Sequence, residues 1–139
     1  MSLQITSPST GASRETVCAL ADLYPERGVA AIVGDHQIAL FRLGDEQVVA
    51  VQQRDPYSGA NVMARGIVGS RGRRPSVASP MYKQVFDLTS GVCLDQVGRE
   101  PLPGLDRNLA VYPVDIVDGM VVVGADGRHP GRPTASTGA

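Results

Sequence analysis

The chain contains no tryptophan, two phenylalanines and four tyrosines, so aromatic residues make up only 4% of its 139 residues. Single-stranded nucleic-acid sites stack bases on aromatic side chains set among basic ones. No stretch here interleaves the two, which argues against a nucleic-acid partner. The formal net charge is −1, so no overall field draws the chain to a polyanion or an anionic membrane. Cysteine occurs twice, as Cys18 and Cys93, too sparsely for a disulfide framework. Histidine also occurs twice, as His36 beside a Gly34-Asp35 turn and as His129 near the C-terminal end. No cysteine or histidine pair has metal-ligand spacing. No apolar run approaches the ~20 residues of a membrane helix. The first residues lack the basic and apolar regions of a signal peptide. The expected setting is therefore the cytoplasm, with no membrane partner. Also missing are an amphipathic helix of ten or more residues and a glycine-rich loop opening a helix, so no dinucleotide fingerprint is present. Ser58 and Ser79 have no His or Asp at nucleophile spacing.

What remains is a β pattern in a chain of one-domain length. A chain of this size buries about two-thirds of its unfolded surface, enough for a core without staples. Residues 1–14, rich in Ser, Thr, Gly and Pro, are expected to be a disordered leader. Residues 124–139 are expected to be a disordered tail. Between them, residues 15–123 carry short apolar runs punctuated by turns. Strands are expected at Glu15–Ala19, Val29–Val33, Gln37–Arg42 and Gln47–Gln52, with a turn region at Ala21–Arg27. Val48 and Ala50 face away from Val49 and Val51, so the last of these strands is expected to be covered on both sides. Shorter strands follow at Ile67–Gly69 and Ser76–Ala78, around a tip at Arg71–Pro75, and at Val85–Leu88 and Val92–Leu94. Gln96–Asn108, broken by Gly98, Pro101, Pro103 and Gly104, reads as an irregular crossing. Ala110–Val117 and Met120–Val123 form a hairpin around Asp118-Gly119, the dipeptide a type I′ turn demands. Many short strands at regular spacing indicate an all-β sandwich or barrel.

The most informative stretch is a two-loop subdomain at about residues 53–88. One loop reads Asp55-Pro56-Tyr57-Ser58-Gly59-Ala60. The other reads Ser79-Pro80-Met81-Tyr82-Lys83-Gln84 and runs into Val85-Phe86-Asp87-Leu88 and Thr89-Ser90-Gly91. This layout resembles the Rieske [2Fe–2S] domain, whose loops read Cys-Pro-His-x-Gly-Ala and Cys-Pro-x-His-Gly-x-x-Phe-Asp-Leu. A Rieske centre uses two thiolates and two imidazoles. Asp55, Tyr57, Ser79 and Tyr82 stand at the four ligand positions, so the resemblance implies the fold without the cluster.

Further stretches are similar to the small subunit of the assimilatory NAD(P)H-dependent nitrite reductase. They include Val17-Cys18-Ala19, Gln37–Arg42, Arg65-Gly66-Ile67-Val68-Gly69, Ser79–Gln84 and Val111-Tyr112-Pro113-Val114. That resemblance implies an accessory, non-catalytic chain that binds a large catalytic subunit during reduction of nitrite to ammonia. It implies that FAD, an iron–sulfur cluster and sirohaem belong to the large subunit and that none is bound here. A Rieske-like interaction module of another oxidoreductase, or an electron-transfer ferredoxin, are the alternatives.

Asp55, Tyr57, Ser79 and Tyr82 have two readings. They form a hydrogen-bonded plug, hydroxyls donating to the Asp55 carboxylate, or a surface that meets the partner. Tyr57, Arg65, Tyr82 and Lys83 are the candidate partner-binding residues. Arg71, Arg73 and Arg74 read as a solvated basic loop. Cys18 and Cys93 read as small buried hydrophobes.

Overall fold

The computed structural model describes residues 14–130. Eleven strands run in chain order: β1 (Arg14–Ala19), β2 (Gly28–Val33), β3 (His36–Arg42), β4 (Val48–Gln52), β5 (Ile67–Arg71), β6 (Arg74–Ala78), β7 (Val85–Asp87), β8 (Cys93–Asp95), β9 (Val111–Tyr112), β10 (Val114–Val117) and β11 (Met120–Gly124). Single 3₁₀ turns occupy Leu20–Asp22 and Met63–Arg65. The all-β expectation holds. No described helix is long and apolar enough to cross a membrane.

The strands form three antiparallel sheets, ordered β1-β11-β10, β2-β3-β4-β9 and β5-β6-β7-β8. The second sheet is the middle layer. On β3, Ile38 and Leu40 join Val48 and Ala50 of β4 and Val121 and Val123 of β11 in one apolar core. Ala39 and Phe41 of β3 and Val51 of β4 point the other way, into a second core with Met63, Val77, Phe86, Leu88 and Leu109. Period-two side-chain alternation thus feeds both cores from one strand, which is why β3 and β4 are apolar on both faces. Each fully buried Phe or Leu contributes roughly 1.5–3 kcal/mol of transfer free energy. The second core carries the two-loop subdomain, so its packing positions the candidate site.

Three departures from the expectation go beyond a shift of one residue at a strand end. Ala110–Val117 is two strands in two sheets, β9 on β4 and β10 on β11. Pro113 separates them, and a proline cannot donate to a ladder. The β5–β6 hairpin is longer than expected, with Arg71 paired to Arg74 and Ser70 to Pro75. The ladder tolerates Pro75 because its carbonyl still accepts from Leu88 N–H at 2.9 Å. Residues 1–13 and 131–139 of the expected leader and tail lie outside the described residues, but 124–130 do not. Gly124 ends β11, and Arg128 exchanges backbone hydrogen bonds with Val111 at 2.8 and 2.9 Å. Composition misses this because the ladder uses backbone groups that every residue carries.

Candidate docking tip

Asp55–Ala60 and Ser79–Gln84 adopt the same six-residue loop. In each, the first N–H reaches the sixth carbonyl: Asp55 to Ala60 at 2.8 Å, Ser79 to Gln84 at 2.9 Å. In each, the fifth N–H returns to the first carbonyl: Gly59 to Asp55 at 2.7 Å, Lys83 to Ser79 at 3.1 Å. In each, the third N–H is held by the first side chain: Tyr57 by Asp55 Oδ1 at 2.8 Å, Met81 by Ser79 Oγ at 3.2 Å. Such local side-chain bonds are the reason Asp and Ser open turns. A third copy follows at 87–92. Asp87 N–H reaches Val92 O at 2.8 Å, Gly91 N–H returns to Asp87 O at 2.8 Å, and Thr89 N–H is held by Asp87 Oδ1 at 2.7 Å. The fifth residue has positive φ in all three: Gly59 at 82°, Lys83 at 71° and Gly91 at 85°.

The first two loops are pinned to each other. Asp55 and Ser79 are buried. Ser79 Oγ donates to Asp55 Oδ2 at 2.6 Å, and Ser58 Oγ donates to the same oxygen at 3.0 Å.

The two tyrosines part company. Tyr57 is buried, its ring tilted against Phe86 at 6.1 Å. Its hydroxyl donates to Arg107 O at 3.2 Å and lies 3.4 Å from Cys93 Sγ, away from Asp55. Loss of water around it, with the Cys93 contact, pushes the phenol well above its usual range. Burial raises the Cys93 and Cys18 thiols as well. Tyr57 therefore supports the loops from beneath and is not on the exposed surface. Tyr82 is 38% exposed, and the Arg99 guanidinium lies 3.8 Å over its ring. Met81 and Lys83, its neighbours in sequence, are exposed, and so is Arg65. Arg65 closes the Met63–Arg65 turn, and Gly66 lies so close to Ala78 O that an added Cβ would come within 2.6 Å.

Arg99, Gln84 and Gln96 are site residues that sequence reasoning missed. Gln84 is fully buried and donates to Gln96 O at 3.3 Å. Their signal is weak, because contacts made by an irregular crossing leave no periodicity. Elsewhere, a polar cleft of about 670 Å³ is lined by His36, Arg54, Asp106, Tyr112 and His129 among others. His36 Nδ1 lies 3.3 Å from Tyr112 Oη there. Among the described residues no group of three or more His, Cys, Asp or Glu could hold a metal ion.

A profile of the Rieske-like [2Fe–2S] domain matches residues 14–124. A nitrite reductase (NADH) small subunit of Escherichia coli strain K12 is 39% identical over 80 residues, 57% of this chain and 74% of that protein. A solved Mycobacterium tuberculosis chain, assigned as an NADH-dependent nitrite reductase small subunit, is 44% identical with a TM-score of 0.70. The match covers 81% of this chain and 95% of that one. The chain belongs to the Rieske-like domain family, among the nitrite reductase small subunits. A nitrite reductase [NAD(P)H] large subunit of Klebsiella oxytoca is also 38% identical over 110 residues. That alignment takes in 79% of this chain and only 11% of the large subunit. In that protein, a domain similar to this small subunit is part of the longer polypeptide.

Proposed function

We propose that this Rieske-like small subunit is the accessory chain of a cytoplasmic NAD(P)H-dependent nitrite reductase. It binds the large catalytic subunit and supports reduction of nitrite to ammonia without performing the chemistry itself. The observation that carries the reading is the Asp55–Ser79 hydrogen bond across two Rieske-type loops. The loops are held by a carboxylate and a hydroxyl at the positions where the family pattern has ligands. A Rieske centre needs two cysteine thiolates and two histidine imidazoles, and iron–sulfur clusters select soft thiolates. Asp55 and Ser79 engage each other, Tyr57 turns its hydroxyl to Arg107, and Tyr82 lies under Arg99. This donor set does not fit the cluster, so the chain carries none. FAD, iron–sulfur and sirohaem chemistry then belongs to the large subunit. The Klebsiella alignment supports that partner, since there a similar domain belongs to the large-subunit polypeptide itself.

The docking face is the Tyr82–Lys83 tip together with the Arg65 region, with Tyr57 beneath the tip as a support. The test is capture of the tagged chain from nitrate-grown cells. The expected result is co-elution of a sirohaem-absorbing partner with NADH-dependent nitrite reduction, and a small subunit free of iron and acid-labile sulfide. A chain that elutes alone from cells with active nitrite reductase overturns the subunit reading. Stoichiometric iron and sulfide in the isolated chain overturn the cluster-free reading.

A further inference from the structure

Three copies of one loop occupy this subdomain, and their fifth residues are Gly59, Lys83 and Gly91, all at positive φ. Left-handed backbone is routine for glycine and strained for a residue with a Cβ. Gly59 and Gly91 are also crowded, a Cβ on Gly91 falling 2.2 Å from Leu109 O. Lys83 faces solvent, so its side chain has room, but the backbone strain remains. The Rieske-like pattern has glycine at this position too, after the second histidine. Lysine there carries a backbone strain that glycine would not.

The surroundings indicate what the side chain of Lys83 does. Lys83 is exposed and in no ion pair found among the described residues. Beside it stand exposed Met81 and the Tyr82–Arg99 stack. On the loop leading to Arg99, Val97 is 47% exposed and also at positive φ, 54°. The tip is thus an apolar centre with two cations on it. Charge across the chain is divided in the same sense. Residues 53–108 hold eight basic against five acidic side chains, and the rest of the described chain holds four against nine. An apolar centre under a cationic rim fits a partner surface with an apolar patch and carboxylates at its edge.

Resting on the subunit reading above, we infer that Lys83 is a specificity-determining docking residue. Its ammonium pairs with a carboxylate on the large subunit, and the strain at residue 83 is kept for that contact.

The experiment uses full-length chain and purified large subunit, with Lys83→Gly, Lys83→Asn and Lys83→Arg. Glycine relieves the strain, asparagine tolerates left-handed backbone without charge, and arginine keeps the charge. Thermal melting of Lys83→Gly is expected above wild type, while its affinity for the large subunit falls about tenfold, as for loss of one interfacial charge contact. Lys83→Asn is expected to bind as weakly as the glycine variant. Lys83→Arg is expected to hold near wild-type affinity, and only the charged pair should weaken steeply with added salt. Wild-type capture of the large subunit with equal binding by Lys83→Gly and Lys83→Asn overturns this inference and leaves the subunit reading intact. A glycine variant that melts below wild type overturns the strain argument. Failure of the wild-type chain to bind overturns the subunit reading, and this inference with it.

Discussion

Ser79 donates its hydroxyl to the Asp55 carboxylate at 2.6 Å, tying together two loops 24 residues apart in the chain. Asp55 is fully buried and also holds Ser58 Oγ and Tyr57 N–H. One side chain thus closes its own loop and anchors the next, linking local turn chemistry to the packing of the subdomain.

Asp55→Ala removes the acceptor for three donors at once. Each buried hydrogen bond to a charged group is worth about 1.5–3 kcal/mol, and a buried donor left without a partner carries a further desolvation cost. Asp55→Ala should therefore destabilise the chain by about 3 kcal/mol or more, and Ser79→Ala by about 1–2 kcal/mol. The double variant should cost less than the sum, because the two share one bond. Urea unfolding followed by circular dichroism checks this, and strictly additive losses would show that the bond contributes nothing.

Much of the tip was legible in the sequence because its loops are local. Asp55 with Gly59 and the Thr89-Ser90-Gly91 turn are visible as turn chemistry, Ser79-Pro80 opens a loop that closes on Lys83 instead of glycine, and the Phe86-Asp87-Leu88 run announces the strand between them. The pairing of Asp55 with Ser79 was open as a plug, and Ser79 does donate to it. The plug reading has the phenols donate to Asp55 as well, whereas Tyr57 donates to Arg107 O and Tyr82 stacks under Arg99. Tyr57 points inward because burial of its ring against Phe86 wins over a polar contact at the surface. The Tyr82–Arg99 stack could not be read, since Arg99 comes from a crossing whose path depends on tertiary packing. The same holds for the split at Pro113. A proline warns that one ladder stops there, but not that the chain changes sheet.

The third loop depends on its glycine more than the first. Gly91 combines φ of 85° with backbone contact, an added Cβ lying 2.2 Å from Leu109 O and 3.0 Å from Val111 Cγ2. Leu109 N–H donates to Gly91 O at 2.8 Å, so the neighbour cannot retreat without losing that bond. Gly91→Ala should cost about 3 kcal/mol, overpacking adding to left-handed strain. Gly104→Ala, at φ 81° with open space around it, should cost only about 1 kcal/mol. Comparison of the two urea midpoints separates crowding from backbone strain; equal losses would assign the effect to φ alone.

The Arg74–Asp87 pair reports on the same loop. Arg74 Nη1 lies 2.8 Å from Asp87 Oδ2, while Asp87 Oδ1 holds the Thr89 and Ser90 N–H groups at 2.7 and 3.2 Å. The arginine is exposed and the carboxylate buried. Arg74→Ala should therefore cost no more than about 1 kcal/mol, as for solvent-screened ion pairs. Asp87→Ala should cost about 2–4 kcal/mol, because it strips the loop of its internal acceptor. Similar losses for the two variants would place the stabilisation in the ion pair and not in the turn.

Tyr57 makes the fold sensitive to alkali. Its phenol is pushed well above the usual range by burial and by the contact with Cys93. A group whose folded pKa is raised keeps its proton in the native chain at pH values where the unfolded chain has released it. The native state then binds more protons, and stability falls as pH rises. The contribution is complete below the ordinary phenol value, about 10, and is lost progressively above it. Cys18, Cys93 and Tyr112 are raised by burial in the same direction, so the decline begins near the ordinary thiol range. The urea midpoint of the wild-type chain should fall between about pH 8 and pH 11. Tyr57→Phe should lower the midpoint at neutral pH, since the hydroxyl no longer reaches Arg107 O, yet its curve should fall less steeply above about pH 10. The two curves should therefore converge at high pH. Parallel curves would mean that the Tyr57 proton is not coupled to folding and that the alkaline loss belongs to the thiols and Tyr112.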